Sequence, residues 1–127
     1  MAEITSQIHA EVSDKIGRLA ELTDAIRDVG VNIRGAVAWV EGSTGHIRMI
    51  TDDNDKACKA IQPIATACGF GQAVCVLVPN EVGTLNRISH KLAGAGIAIQ
   101  MMYSSAAGEK AMVVLETSDN AKAAKII

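Results

Sequence analysis

The sequence predicts an α+β protein of two tandem βαββαβ units, each an antiparallel sheet with helices on one face, the second unit lacking its last strand. Three observations predict it. The chain repeats itself at an offset of 66 residues. In both copies, apolar residues alternate at period two and then recur at the helical period, in the same order. Glycines and Asp-Asn pairs punctuate both copies at matching places.

Sliding the chain by 66 aligns residues 5–61 with 71–127 without a gap and leaves thirteen identical pairs, among them Gly17/Gly83, Leu19/Leu85, Gly30/Gly96, Gly42/Gly108, Thr51/Thr117, Asp53/Asp119 and Asn54/Asn120. The matched glycines fall where the local pattern requires turns and the matched apolar residues where it requires core. A duplicated unit explains this, with module 1 at 1–70 and module 2 at 71–127 packed as one compact body.

In the first copy Ile8, Ala10 and Val12 alternate with polar residues, as a half-buried strand does. Ile16, Leu19, Leu22, Ile26 and Val29 then follow helical spacing, and Gly30 supplies a stop. Val31 to Trp39 alternates again, Gly42-Ser-Thr-Gly45 reads as a hairpin turn, and His46 to Thr51 returns as the paired strand. Asp53-Asn54 caps a short helix that Pro63 terminates. The second copy follows the same course. Val74 to Val78 is a near-continuous apolar strand, read as buried on both faces. Val82, Leu85, Ile88 and Leu92 line a helix, Ile97–Ser105 and Ala111–Thr117 form a hairpin across Gly108, and Asp119-Asn120 caps a final short helix.

The copies differ at their ends. Ile64 to Phe70 is long enough for a fourth strand closing the first copy, and a kink at Gly69-Phe70-Gly71 would turn it into the first strand of the second. The second copy has no equivalent, so one sheet edge is expected to lack its closing strand and to be covered by another subunit.

Composition removes several function classes. Twelve basic against fourteen acidic residues give a net charge of −2, with no electrostatic reason to expect nucleic acid or an anionic membrane. Trp39, Phe70 and Tyr103 are the only aromatics, too few for a base-stacking platform. The N-terminal residues lack a basic start and an apolar signal core, and no run approaches a membrane span. Cys58, Cys68 and Cys75 are odd in number and lack paired-ligand spacing, so neither a disulfide framework nor a metal site is expected, and a reduced, cytoplasmic, soluble protein is. His9, His46 and His90 sit in unlike contexts, with no carboxylate at ligand spacing and no nucleophile motif, and read as surface or hairpin residues. Glu81 and Asp14 are lone acids. The sequence therefore predicts no enzyme, no catalytic residue and no cofactor.

One stretch remains, and the chain carries it twice: Val12-Ser-Asp14-Lys15-Ile16-Gly17-Arg18-Leu19 and Val78-Pro-Asn80-Glu81-Val82-Gly83-Thr84-Leu85. Each follows a strand and opens a helix. The glycine lets a ligand approach the backbone, and the amides behind it are the unpaired donors of a helix N-terminus. A structural reading stands beside it: the Asp or Asn caps the helix, the Gly eases the turn and the Leu fills core.

A βαββαβ unit with helices on one face is the ferredoxin-like arrangement. Asp14-Lys-Ile-Gly17-Arg-Leu19 with Gly30-Val-Asn32-Ile33, and Asn80-Glu-Val-Gly83-Thr-Leu85 with Gly96-Ile-Ala98-Ile99, each resemble the ACT domain, the small amino-acid-sensing module of metabolic regulation. The two cover essentially the whole chain, which is similar to small stand-alone tandem ACT proteins. The resemblance implies a non-catalytic regulatory protein that binds a free amino acid at the interface between ACT modules and assembles as a homo-oligomer, a dimer, with allosteric consequences.

Residue by residue, the resemblance assigns the ligand loop to Asp14, Lys15, Ile16, Gly17, Arg18 and Leu19 with Asn32, and to Asn80, Glu81, Val82, Gly83, Thr84 and Leu85, with Ala98 standing where the first copy has Asn32. Met102 and Tyr103, on the second strand of the second copy, are further candidates to line the pocket. Ala98 in place of Asn32, and isoleucine or valine before each glycine where the family often has proline, depart from the pattern, so the second site is expected to be absent or unequal to the first. The alternative is an oligomerisation or protein-interaction module without a small-molecule ligand.

Overall fold

The computed structural model describes residues 2–127. Its elements are β1 (Ala2–Ser13), α1 (Arg18–Asp28), β2 (Ile33–Glu41), β3 (Thr44–Thr51), α2 (Asn54–Ile61), β4 (Ala67–Pro79), α3 (Thr84–Gly94), β5 (Ile99–Ala107), β6 (Lys110–Thr117) and α4 (Asn120–Ile126). These elements form two compact units. The first is Ser6–Gly71; the second comprises the chain up to Thr5 and Gln72–Ile127.

In the first unit the strand order is β2-β3-β1-β4. β1 and β2 both pair antiparallel with β3. Alternation sends Ile8, Ala10 and Val12 of β1 to one face with Ile47 and Met49 of β3, where Leu22 and Ile26 of α1 and Ala57 and Ile61 of α2 cover them. Leu22 and Ile26 lie four apart, one helical turn, so one stripe of α1 is removed from water. A fully buried side chain of this size contributes about 1.5–3 kcal/mol.

The second unit has the order β1-β4-β6-β5, and its core joins Val74, Val76, Ile88, Leu92, Val113, Leu115 and Ala123. These positions repeat those of the first core at the offset read from the sequence.

The matched Thr-x-Asp-Asn stretches have a structural explanation. Asp53 and Asp119 cap α2 and α4, each accepting from the amide three residues on, Lys56 at 3.1 Å and Lys122 at 3.0 Å. Asn54 Oδ1 receives the Thr51 amide and hydroxyl at 3.0 and 2.7 Å, while its Nδ2 donates to the Ser6 carbonyl at 3.0 Å. Asn120 repeats all three bonds with Thr117 and Gln72. The side-chain amide thus ties the start of the helix to two strands at once. Asn54→Ala is expected to cost about 1–3 kcal/mol, the penalty for leaving part-buried groups of Thr51 unmatched. Urea denaturation checks it, and a change within about 0.5 kcal/mol would show the tie to be dispensable.

Four expectations need correction. The second unit does not lack a strand beside β4: the start of β1 occupies that position, and Ala2 packs on the second core. The expected kink at Gly69-Phe70-Gly71 is absent, because neither glycine has positive φ and β4 runs unbroken from Ala67 to Pro79. Gly71 is small for another reason. A Cβ there would stand 2.6 Å from the His9 ring, so the residue admits a close neighbour rather than a bend. β4 is also not buried on both faces, since Leu77 is largely exposed. Finally, Cys58 and Cys68 are joined as a disulfide, with Cys75 free. Cys58 shares the buried face of α2 with Ala57 and Ile61, and Cys68 packs on the same core from β4, which brings their Cα atoms to 6.2 Å.

Candidate functional site

Each unit places one strand-to-helix corner where α1 or α3 begins. Gly17 has φ 90° and ψ −2°, and Gly83 has φ 88° and ψ −3°, the left-handed region that glycine enters without the cost a Cβ brings. Neither helix start receives a side-chain cap, in contrast to the aspartates on α2 and α4. Asp14 and Asn80 are therefore not caps. Their amides donate to the hairpin turns, Asp14 to the Ser43 carbonyl and Asn80 to the Glu109 carbonyl, both at 2.9 Å. Asn80 Nδ2 adds a bond to the Gly108 carbonyl at 3.0 Å. Each corner is thus held against its hairpin, while the Leu19 and Ala20 amides, like those of Leu85 and Asn86, have no partner among the described residues.

A cavity of about 250 Å³ lies at the first corner, lined by Ser13, Asp14, Lys15, Gly17, Arg18 and Leu19 and by Ala38, Trp39, Val40, His46 and Ile47 of the hairpin. A smaller one, about 130 Å³, lies at the second corner, lined by Asn80, Glu81, Thr84 and Leu85 with Ser104, Ala106 and Val113. Every residue lining the second cavity matches one lining the first at the 66-residue offset, from Val12/Val78 through Leu19/Leu85 to Ile47/Val113, while Gly17, Trp39 and His46 have no counterpart in the second lining.

The corners differ in chemistry. Arg18 is held in place by Ser13 Oγ, which accepts from Nε at 3.2 Å and Nη2 at 3.1 Å, and by Glu21, which accepts from Nη1 at 2.9 Å. The second corner has Thr84 there, and Glu81 in place of Lys15. Trp39 and His46 form a wall found only in the first corner. Their rings stack at 5.3 Å with 15° between planes, Arg48 lies over the indole at 5.2 Å, and Trp39 Nε1 donates to Glu41 at 3.0 Å. Glu11 Oε1 stands 3.7 Å from His46 Nδ1. His46 is therefore neither a plain surface residue nor a plain hairpin residue, as the sequence suggested, and Trp39 is a lining residue that sequence reasoning missed.

The candidate residues do not all meet. Asp14, Lys15, Gly17, Arg18 and Leu19 line the first cavity, and Asn80, Glu81, Thr84 and Leu85 the second. Ile16 and Val82 point away and are fully exposed. Gly83 sets the backbone without lining the cavity. Asn32 lies past the far end of α1, which at 1.5 Å per residue puts it about 16 Å along the helix from the corner of its own unit. Its amide is bound to Asp52 Oδ1 at 3.1 Å. Met102 and Tyr103 sit on β5 opposite Leu115 and Val114 and line neither cavity. Burial pushes the Tyr103 hydroxyl pKa up, and Cys75 and Glu116 add to it, so the phenol stays neutral.

Among the described residues, no helix is long and apolar enough to cross a membrane. No protein-family model matches the sequence, and no curated protein does. Solved structures do. Protein BT0572 from Bacteroides thetaiotaomicron is similar at TM-score 0.89 and 28% identity, over 98% of this chain and 87% of that one. The ligand-free regulatory subunit of aspartate kinase from Thermus thermophilus is similar at TM-score 0.69 and 15% identity, over 98% and 93%. The aspartokinase alpha and beta subunits are similar at TM-score 0.68 and 18% identity, over the same shares. The chain therefore has an ACT-like α+β fold, shared with regulatory subunits of aspartate kinase.

Proposed function

We propose that this is a non-catalytic regulatory protein that binds a free amino acid at its glycine corners, the first corner above all. The observation that carries this reading is the pair of helix starts left uncapped, each beside a cavity, in a molecule whose other two helices are capped. Amides near Gly17 receive the ligand carboxylate, and Asp14 accepts from its ammonium group. A helix N-terminus supplies about 0.3–2 kcal/mol. Micromolar affinity needs about 8 kcal/mol, so the cavity wall with Trp39 must supply most of the rest.

A second reading, an interaction module without a small ligand, has its own support. Ile16 and Val82 expose their whole side chains at the two loop tips, with Leu19 and Leu85 half-exposed beside them. A second copy of the chain covering these tips would form the homo-oligomer, and both readings allow it.

Thermal unfolding with each of the twenty amino acids separates the two. One amino acid is expected to raise the midpoint in a saturating way, by about 2.7 kcal/mol of stabilisation at a hundred times its Kd. No shift from any of them at millimolar concentration would leave only the interaction module.

A further inference from the structure

We propose that the first corner selects a dicarboxylic amino acid, its second carboxylate received by the Arg18 guanidinium; this rests on the amino-acid reading above. Three observations carry it. Arg18 lines a cavity and is held there from two sides, by Ser13 and by Glu21, so its planar fork is oriented before any ligand arrives. Those three hydrogen bonds use one N–H each of Nε, Nη1 and Nη2. A guanidinium has five N–H donors, so two remain, one on each terminal nitrogen.

The second observation is the contrast between units, which share a backbone but not a charge pattern. The first corner offers Lys15 and Arg18 against Asp14; the second offers Glu81, Asn80 and Thr84, with no cation among these loop positions. An amino acid's own ammonium and carboxylate can be met at either corner by the same backbone. Only the first has a cation lining its cavity: beside the second corner Arg87 donates to Thr84 Oγ1 at 3.3 Å but is not part of the cavity wall, where a second carboxylate would face Glu81.

The third is room. The first cavity, about 250 Å³, is roughly twice the second, about 130 Å³. The extra lining includes Trp39 and His46, whose stacked rings give the aliphatic stem of a longer amino acid an apolar wall. Glu21 accepts one N–H of Nη1, which keeps Arg18 in place and leaves that nitrogen's second N–H available.

Titration calorimetry of the full chain tests this with L-aspartate and L-glutamate against their neutral isosteres L-asparagine and L-glutamine. At least one dicarboxylate is expected to bind about tenfold or more tightly than its amide, the difference of one charge-assisted pair. Arg18→Gln should erase that preference, acid and amide then binding alike, and Arg18→Lys, which keeps the charge but not the fork, should restore part of it. An amide that binds as tightly as its acid on the unmodified chain overturns the proposal, and so does a preference that survives Arg18→Gln. In both cases some amino acid still binds and the broader reading stands. If none of the twenty binds, both fall together.

Discussion

Gly17→Val is expected to destabilise the protein by about 1–3 kcal/mol and to abolish the ligand-induced rise in its unfolding midpoint. At φ 90° a β-branched residue is forced into a region it almost never adopts. A Cβ at this position would meet no atom within 4 Å, so the cost arises in the backbone and not in a clash. The corner relieves the strain by rotating φ, which re-aims the Leu19 and Ala20 amides away from the cavity. Denaturant titration reads the first effect and thermal shift with the identified amino acid reads the second. A folded variant that lost stability but kept the full shift would show that the amides do not hold the ligand. One that lost neither would show that the corner is not strained.

Leu22→Ala carries the largest expected cost in stability, about 2–5 kcal/mol. Leu22 is fully buried, in the stripe of α1 that covers β1 and β3. Truncation removes its transfer energy and leaves a void that a sheet on one side and a second helix on the other cannot collapse into. Leu19, three residues earlier on the same helix, is about half-exposed, so Leu19→Ala should change stability by no more than about 0.5 kcal/mol. Urea midpoints with an unchanged slope are the measurement. Comparable losses in the two variants would mean that the buried stripe of α1 has been placed one turn off.

Much of the fold was legible in the sequence, and for local reasons. The repeat fixed the order of elements, and glycine and Asp-Asn punctuation fixed most of their ends, because φ preferences and capping act within a few residues. The hairpin shows how a small local error spreads. Placing the turn over Gly42–Gly45 pairs Glu41 with His46. The turn is in fact Gly42-Ser43, so Glu41 pairs with Thr44 and Trp39 with His46. That two-residue difference in register puts the indole and imidazole side by side next to Glu11, and it hid the wall of the first cavity. A two-residue turn with glycine at positive φ was a signal within reach. Asn32 illustrates the reverse. Its place in the pattern the sequence resembles is clear, but an eleven-residue helix separates it from the corner of its own unit.

By itself the sequence determined an α+β chain whose pattern recurs at an offset of 66 residues, the order of most of its helices and strands, and that two glycine corners open helices in register. Those features follow from periodicity and from backbone conformations that only certain residues adopt. Only the tertiary structure decided that the start of β1 serves the second unit, that Cys58 meets Cys68, and that Trp39, His46 and Arg18 share one cavity with Asp14. Each of these joins residues brought together by strand register and helix packing, and no short-range preference encodes such a meeting.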